Sequence, residues 1–350
     1  MLSATETGNA RIGALRTSPQ PRRRRSIIGH AFIRLMWRHA LPAAAGAVFA
    51  TSALAQIDLK ITVPAAPGGA WDQTAHAIEQ ALLDGGAARS VAVANDPGGR
   101  GAAGFARFVK ENGAEPNRVI VVGLSMLGAL VRGKAGVTLA DAAPVARLTA
   151  EYFAIAVPAE SPIATAADLG AAMRADPAKV TWAGGQVGSV DHILAALFTR
   201  TIGGDPSRIA YAPFFGAGEM INAALEGQVG VVIASPRQLE EPVKAGKLRV
   251  IGVTAPRRLD GLDAPTLKEQ QIELELANWR AVLAPGGLGP AERAALSRTF
   301  EEMVKSPAWD DIIRQKGWRD AYLPADLFAA FLAAEQARVA DALRSVGLAK

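Results

Sequence analysis

The sequence predicts an α/β protein folded as two lobes with mostly parallel sheets and a helical C-terminal region. Short apolar, β-branched runs alternate with longer helical patterns through most of the chain after Gln56, the rhythm of parallel strands covered by helices on both faces. The strands do not fit one sheet comfortably, and two segments could carry the chain between sheets. From Pro290 onward the pattern is helical alone.

Strands are expected at Asp58–Val63, Val91–Ala94, Val119–Leu124, Ala154–Val157, Val180–Ala183, Val229–Ala234 and Leu248–Thr254. Between them, helices are expected at Trp71–Leu83, Ala102–Glu111, Ala166–Ala175, Asp191–Thr201, Glu219–Leu225 and Pro236–Ala245. Three more follow at Ala291–Lys305, Pro307–Lys316 and Pro324–Val346, each with a proline at or near its first turn, where the missing N–H costs nothing. The crossings are expected near Glu151–Val157 and Thr254–Arg258. They divide the chain into a first lobe begun by residues 56–153, a second lobe of 154–253 and a return of 254–350 to the first. The cleft between two such lobes is a natural ligand site.

Residues 1–55 differ in kind from the rest. They hold eight Lys and Arg, including Arg22–Arg25, against one acid, Glu6. An uncharged, alanine-rich stretch follows from Ala40 to Leu54 and ends in Ala53-Leu54-Ala55. Basic, then apolar, then small-x-small is the order of a secretory signal peptide cleaved after Ala55, and the stretch is shorter than the roughly 20 residues of a spanning helix. Met36 as an alternative start and a twin-arginine signal at Arg24-Arg25 both remain open. The remainder carries 38 − 8 = 30 basic and 33 − 1 = 32 acidic side chains. It is therefore near neutral, with dispersed charges, and no nucleic-acid surface is expected.

The sequence has no cysteine, so disulfides and thiolate chemistry are excluded. After the leader only His76 and His192 remain. They lie on different expected helices without a partner at ligand spacing, so neither a metal nor a cofactor is expected.

Four glycine-rich turns precede expected helices: Pro64–Ala70, Asn95–Gly101, Gly184–Ser189 and Gly216–Gly218. A helix start leaves amide protons unpaired and carries about half a positive charge, so a turn that admits a ligand to the backbone makes an anion site. One such turn in each lobe suits a small carboxylate. Charge-assisted hydrogen bonds contribute about 1.5–3 kcal/mol each, so about four to six can leave roughly −8 kcal/mol after association costs, a micromolar receptor. The candidate set is Gly68, Gly69, Ala70, Trp71 and Asp72 from the first turn, Gly185, Gln186, Val187, Gly188, Ser189 and His192 from the third, with Ser125 and Gly216. Asp72 also reads as charge compensation at a helix start, Ser125 as a turn residue, and His192 as packing. Trp71 and Trp279 could wall the cleft or belong to the core.

Two catalytic patterns fall short. Gly99-Arg100-Gly101-Ala102-Ala103-Gly104 spells a dinucleotide fingerprint, but the next strand ends in Gly123-Leu124-Ser125 with no acid for a ribose. Gly123-Leu124-Ser125-Met126-Leu127 places Leu127 where a nucleophile elbow needs glycine. An enzyme using NAD or a serine nucleophile stays as the alternative, and no Gly-Lys-Ser/Thr follows any turn to make a phosphate loop.

Taken in order, Pro67-Gly68-Gly69-Ala70-Trp71-Asp72, Asn95-Asp96-Pro97-Gly98-Gly99, Trp182-Ala183-Gly184-Gly185, Gly188-Ser189-Val190-Asp191-His192 and Asn278-Trp279-Arg280 resemble the extracytoplasmic receptors of tripartite tricarboxylate transporters, the Bug receptors. The likeness spans essentially everything after Gln56. It implies a type II periplasmic binding-protein "flytrap", a periplasmic, monomeric receptor with no catalytic activity, and delivery of a carboxylate to a two-component membrane permease; presentation to a sensor kinase is equally compatible. It also implies that backbone amides and waters at Gly68, Gly69, Gly185, Gly188 and Ser189, with His192, hold the carboxylate. The Trp71 form of the first turn is similar to the tricarboxylate branch and points to a citrate-like ligand. His76, where arginine is usual, and Phe214-Phe215-Gly216 depart from the pattern and make the pocket wall more apolar.

Overall fold

The computed structural model describes residues 57–111, 113–133 and 136–349; the expected signal peptide lies outside them. The first stretch of chain forms β1 (Ile57–Val63), α1 (Ala70–Asp84), β2 (Ala88–Asn95), α2 (Ala102–Glu111), β3 (Arg118–Gly123), α3 (Leu124–Val131) and β4 (Ala142–Tyr152). A second forms β5 (Ala154–Pro158), α4 (Ala166–Ala175), β6 (Thr181–Gly184), α5 (Val190–Thr201), β7 (Ala210–Pro213), α6 (Ala217–Leu225), β8 (Val231–Ala234), α7 (Pro236–Lys244) and β9 (Leu248–Val253). The rest forms β10 (Ala277–Pro285), α8 (Pro290–Val304), α9 (Pro307–Lys316), β11 (Arg319–Pro324) and α10 (Ala325–Ser345).

Two sheets result, of order β11-β4-β10-β3-β1-β2 and β7-β6-β8-β5-β9. Both are mixed, which corrects the expectation of mostly parallel sheets. β1 is parallel to β2 and β3, and β6 to β7 and β8. In contrast, β10 and β11 run against β4, and β5 runs against β8 and β9. For β5 and β10 the reason is where the crossings lie. Strands of βα units end at the cleft, whereas a strand laid in by a crossing starts there and must run away from it. The C-terminal region is helical as expected, apart from the edge strand β11.

Local chemistry sets several element starts. Thr165 accepts from the Asp168 amide at 3.0 Å while the Asp168 carboxylate accepts from the Thr165 amide at 2.9 Å, a capping box that opens α4. Ser306 does half of this for α9, accepting from Trp309 N at 3.2 Å. β3 is buried at every position after Arg118, as a central strand covered on both faces must be.

Three apolar cores follow from the layers. One, around Ile78, Leu82, Phe300 and Trp309, covers the outer face of the first sheet. Another, around Met220, Leu239 and Leu248, does so for the second. The largest contains Phe105, Leu127, Trp182, Ile193, Trp279 and Phe328 and runs through both lobes, with α10 packed on α3 and on α5.

Both crossings are laced to one buried side chain, Thr254. Its Oγ1 accepts from Phe153 N at 3.0 Å and donates to the Leu276 carbonyl at 2.7 Å. Its amide donates to Phe153 O at 2.9 Å, and its carbonyl accepts from Leu276 N at 3.1 Å. The chain after Thr254 stays on the second lobe. Val253 N donates to Pro265 O at 3.0 Å, and the Gln270 side chain bonds Ala166 N and Ile251 O at 2.8 and 2.9 Å. The return therefore falls at Leu276–Ala277, later than the expected Thr254–Arg258, because Ala255 and Ala264 bury against the second sheet.

Candidate functional site

Three connected hollows lie between the lobes. The central one, about 540 Å³, is lined by Trp71, Gly98, Arg100, Ser125, Ser189 and Asp191 among others. A smaller one of about 310 Å³ is lined by Gly185, Phe214, Gly216 and Ser235. The third, about 560 Å³, is lined by Glu151, Arg237, Arg280 and Lys316. Phe153, Asp191 and Asn278 border the first two; Ala70 and Arg280 border the first and third.

On the first lobe, the turn after β1 folds onto an acid of the helix it precedes. Gly68, at φ +81°, donates its amide to Asp72 Oδ2 at 2.7 Å, and Asn95 Nδ2 donates to Asp72 Oδ1 at 2.7 Å. These bonds, Asn95 foremost, hold the buried Asp72 carboxyl below the usual carboxylate range. Asp72 thus organises the loop and lines none of the three hollows. The Trp71 ring, which does face the cleft, lies against Gly101 and Gly123. A Cβ at Gly101 would stand 2.6 Å from Trp71 Cζ3, and one at Gly123 would stand 2.9 Å from Nε1. Neither position can carry a side chain while Trp71 stays in place.

The second lobe repeats the device. Gly185 donates to Asp191 Oδ2 at 2.6 Å, Gly188 donates to His192 Nδ1 at 3.1 Å, and Tyr211 Oη donates to the Gly185 carbonyl at 2.8 Å. His192 stacks on Tyr211, with ring centroids 4.1 Å apart and planes 10° from parallel. Burial pushes the Asp191 carboxyl up to about 6, against the Gly185 hydrogen bond that lowers it. Burial, aided by nearby Arg132, takes His192 down to about 4, so its imidazole is neutral and can accept from Gly188. Tyr211 is raised, mainly by burial.

These bonds decide which turn amides are already paired within the protein. The amides of Gly68, Gly185 and Gly188 are committed to their own helices, Gly69 N donates to Ala66 O at 3.3 Å, and Ser189 N to Gln186 O at 2.7 Å. The open donors are the first-turn amides of the two helices, carried by Ala70 and Trp71 on α1 and by Val190 and Asp191 on α5. All four residues line the central hollow. The two helix starts therefore direct their positive ends at one cavity from opposite lobes. Ser125, on the first turn of α3, and Ser189 line it as well, while Gly185 and Gly216 line the smaller hollow. Gln186 and Val187 are exposed on the loop. His192 is buried beneath that loop and lines none of the three hollows, and Trp279 is in the core, its Nε1 donating to Glu335 Oε1 at 3.3 Å.

Four polar or charged residues of the central hollow were not in the expected set: Asp191, Arg100, Asn278 and Arg280. Asp191 had a visible signal, since both glycine turns are followed by an aspartate in the first helical turn. The Gly99–Gly101 pattern forms a 3₁₀ turn, not a nucleotide loop, with Arg100 left-handed at φ 57°. Its Nη1 donates across the cleft to the Val187 carbonyl at 3.0 Å, and Arg132 Nη1 reaches the same oxygen at 3.2 Å.

Two α/β lobes crossed twice by the chain, with a shared cleft polarised by opposed helix starts, define a two-lobed binding protein. The comparisons agree. A TctC solute-binding protein from Polaromonas superposes with a TM-score of 0.71 at 24% identity, covering 82% of this chain and 98% of that one. MatC from Rhodopseudomonas palustris with bound malate superposes at 0.61 with 21% identity, covering 82% and 98%. Protein BugT of Bordetella pertussis is 26% identical over 298 residues, covering 83% of this chain and 89% of BugT. Residues 137–348 match the tripartite tricarboxylate transporter family receptor, and the chain belongs to that family. It is a family of binding proteins, not of enzymes.

Proposed function

We propose that the protein is a periplasmic solute receptor that binds a small di- or tricarboxylate in the interlobar cleft and presents it to a two-component membrane permease. In this reading the exported chain begins after Ala55, acts as a monomer, and closes residues 56–153 and 277–350 against 154–276. The observation that carries it is the convergence of the α1 and α5 starts on the central hollow, with four first-turn amides directed there. Ser125 has no hydrogen bond to a histidine or carboxylate among the described residues, and the buried His192 is occupied by Gly188, so a serine-nucleophile reading lacks its parts. Malate bound to MatC supports a carboxylate as ligand; a citrate-like acid follows from the Trp71 form of the first turn.

The ligand contacts proposed are the amides of Ala70, Trp71, Val190 and Asp191, the hydroxyls of Ser125 and Ser189, and water-bridged contacts to the glycine turns. The test is a thermal-shift and calorimetric screen of the exported protein against mono-, di- and tricarboxylates, with Gly185→Val alongside. A Cβ at Gly185 would stand 3.0 Å from Asp191 Oδ2 and 3.3 Å from Ser189 Oγ, so valine displaces both from the cleft wall. Micromolar binding of at least one acid, weakened at least about tenfold by Gly185→Val with the fold retained, is expected. Flat responses across the panel would remove the receptor reading.

A further inference from the structure

We propose that the third hollow is a second anion site that selects ligands carrying two negative groups. This rests on reading the central hollow as the seat of a first carboxylate. Its charged lining is lopsided: Arg280, Lys316 and Arg319 from the first lobe and Arg237 from the second face a single acid, Glu151. Arg319 is engaged by Asp260 at 3.0 Å, and Glu151 by Arg280. Arg237 and Lys316 have no ion pair among the described residues; the nearby Glu240 is paired with Lys244 at 2.6 Å. Two exposed cations on opposite lobes thus stand at the rim of one cavity.

The floor of that cavity carries the decisive feature. Arg280 is 5% exposed, its Nη2 is bonded to Glu151, and its guanidinium carbon lies 5.1 Å from the Trp318 ring centroid. Its Nη1 is buried without a hydrogen-bond partner. A guanidinium presents five donors in a fixed fork, and folding normally leaves none of them buried and unmet. Here one end of the fork is held by Glu151 and the other is buried without a partner, on a residue that lines both the central and the third hollow. An anion entering between them satisfies Nη1 and gains Arg237 and Lys316 at the rim. A ligand of two anionic ends can place one on the helix-start amides and the other on Arg280. Because Arg237 and Lys316 belong to different lobes, the second end adds a further bridge between them, beyond the one a single carboxylate makes on the α1 and α5 starts. The class selected is a small dicarboxylate, or a carboxylate bearing another anionic head such as sulfonate.

The test is isothermal titration of the exported protein and of the double variant Arg237→Gln/Lys316→Gln with dicarboxylates and with monocarboxylates of equal chain length. Both positions are exposed, and an unchanged melting temperature without ligand verifies the fold. The wild-type protein is expected to prefer the dianion by at least about tenfold, and the double variant to lose about tenfold for the dianion while the monoanion changes less than about twofold. Arg280→Lys, which keeps the charge but not the fork, is expected to weaken the dianion alone. Equal losses for both ligands, or a dianion affinity indifferent to the double variant, overturn the second site. A wild-type protein that binds mono- and dicarboxylates equally well also overturns it while leaving the receptor reading intact. Binding of no carboxylate overturns both.

Discussion

Replacing Asp191 by asparagine probes the cleft through its most perturbed acid. Burial moves the carboxyl from 3.8 to about 6, a difference worth about 3 kcal/mol between protonation states. The sign follows from the direction. The folded state favours the protonated form, so this contribution is full below the ordinary value of 3.8 and is lost as pH rises through about 6. Asparagine keeps an oxygen for the Gly185 amide and carries no charge. The stability of Asp191→Asn relative to the wild type is therefore expected to rise by about 2.5 kcal/mol between pH 4 and pH 8, roughly 4 °C in melting temperature for a chain of this size. His192, neutral down to about 4, loses stability as pH falls from its ordinary value, but it does so in both proteins and cancels in the difference. Melting or urea unfolding across that range is the assay. Since Asp191 borders the central hollow, wild-type affinity for a carboxylate is also expected to fall as pH rises through 6, with the variant's nearly flat. A stability difference that does not vary with pH would refute the burial argument.

Two further substitutions test the framework. Gly101→Ala puts a side chain at φ +89° and within 2.6 Å of Trp71, and is expected to cost about 2–5 kcal/mol with a shift in tryptophan emission; a variant as stable as the wild type would mean that Gly101 does not make room for Trp71. Thr254→Val removes the acceptor for Phe153 and the donor to Leu276 at both crossings, for an expected loss of about 2–4 kcal/mol in urea unfolding. A loss below about 0.5 kcal/mol would show that this side chain contributes nothing to joining the lobes.

The parts of the fold that were legible are those whose signal is local. β1, β3 and β5 announce themselves as short apolar runs, and α8 and α9 by the prolines in their first turns. β4 and β10 escaped notice because Pro144 and Arg147 interrupt one, and Trp279 and Arg280 sit in the other; each is a strand only because the other pairs with it. The stretch Leu124–Val131 forms α3 though it reads as the tail of a strand and a turn, since a helix buried nearly all round shows no polar face. In the site, both glycine turns could be read, but not the fate of their amides.

By itself the sequence determined the two-lobed α/β class, the helical C-terminal region and the placing of glycine turns ahead of α1 and α5, because capping, glycine conformation and apolar periodicity act over a few residues. Tertiary structure alone decided that Gly68 and Gly185 donate to Asp72 and Asp191, that β5, β10 and β11 run against their neighbours, and that Arg237, Arg280 and Lys316 share a cavity. Those outcomes depend on where distant segments meet, and on which donors remain unpaired once each lobe has satisfied its own backbone.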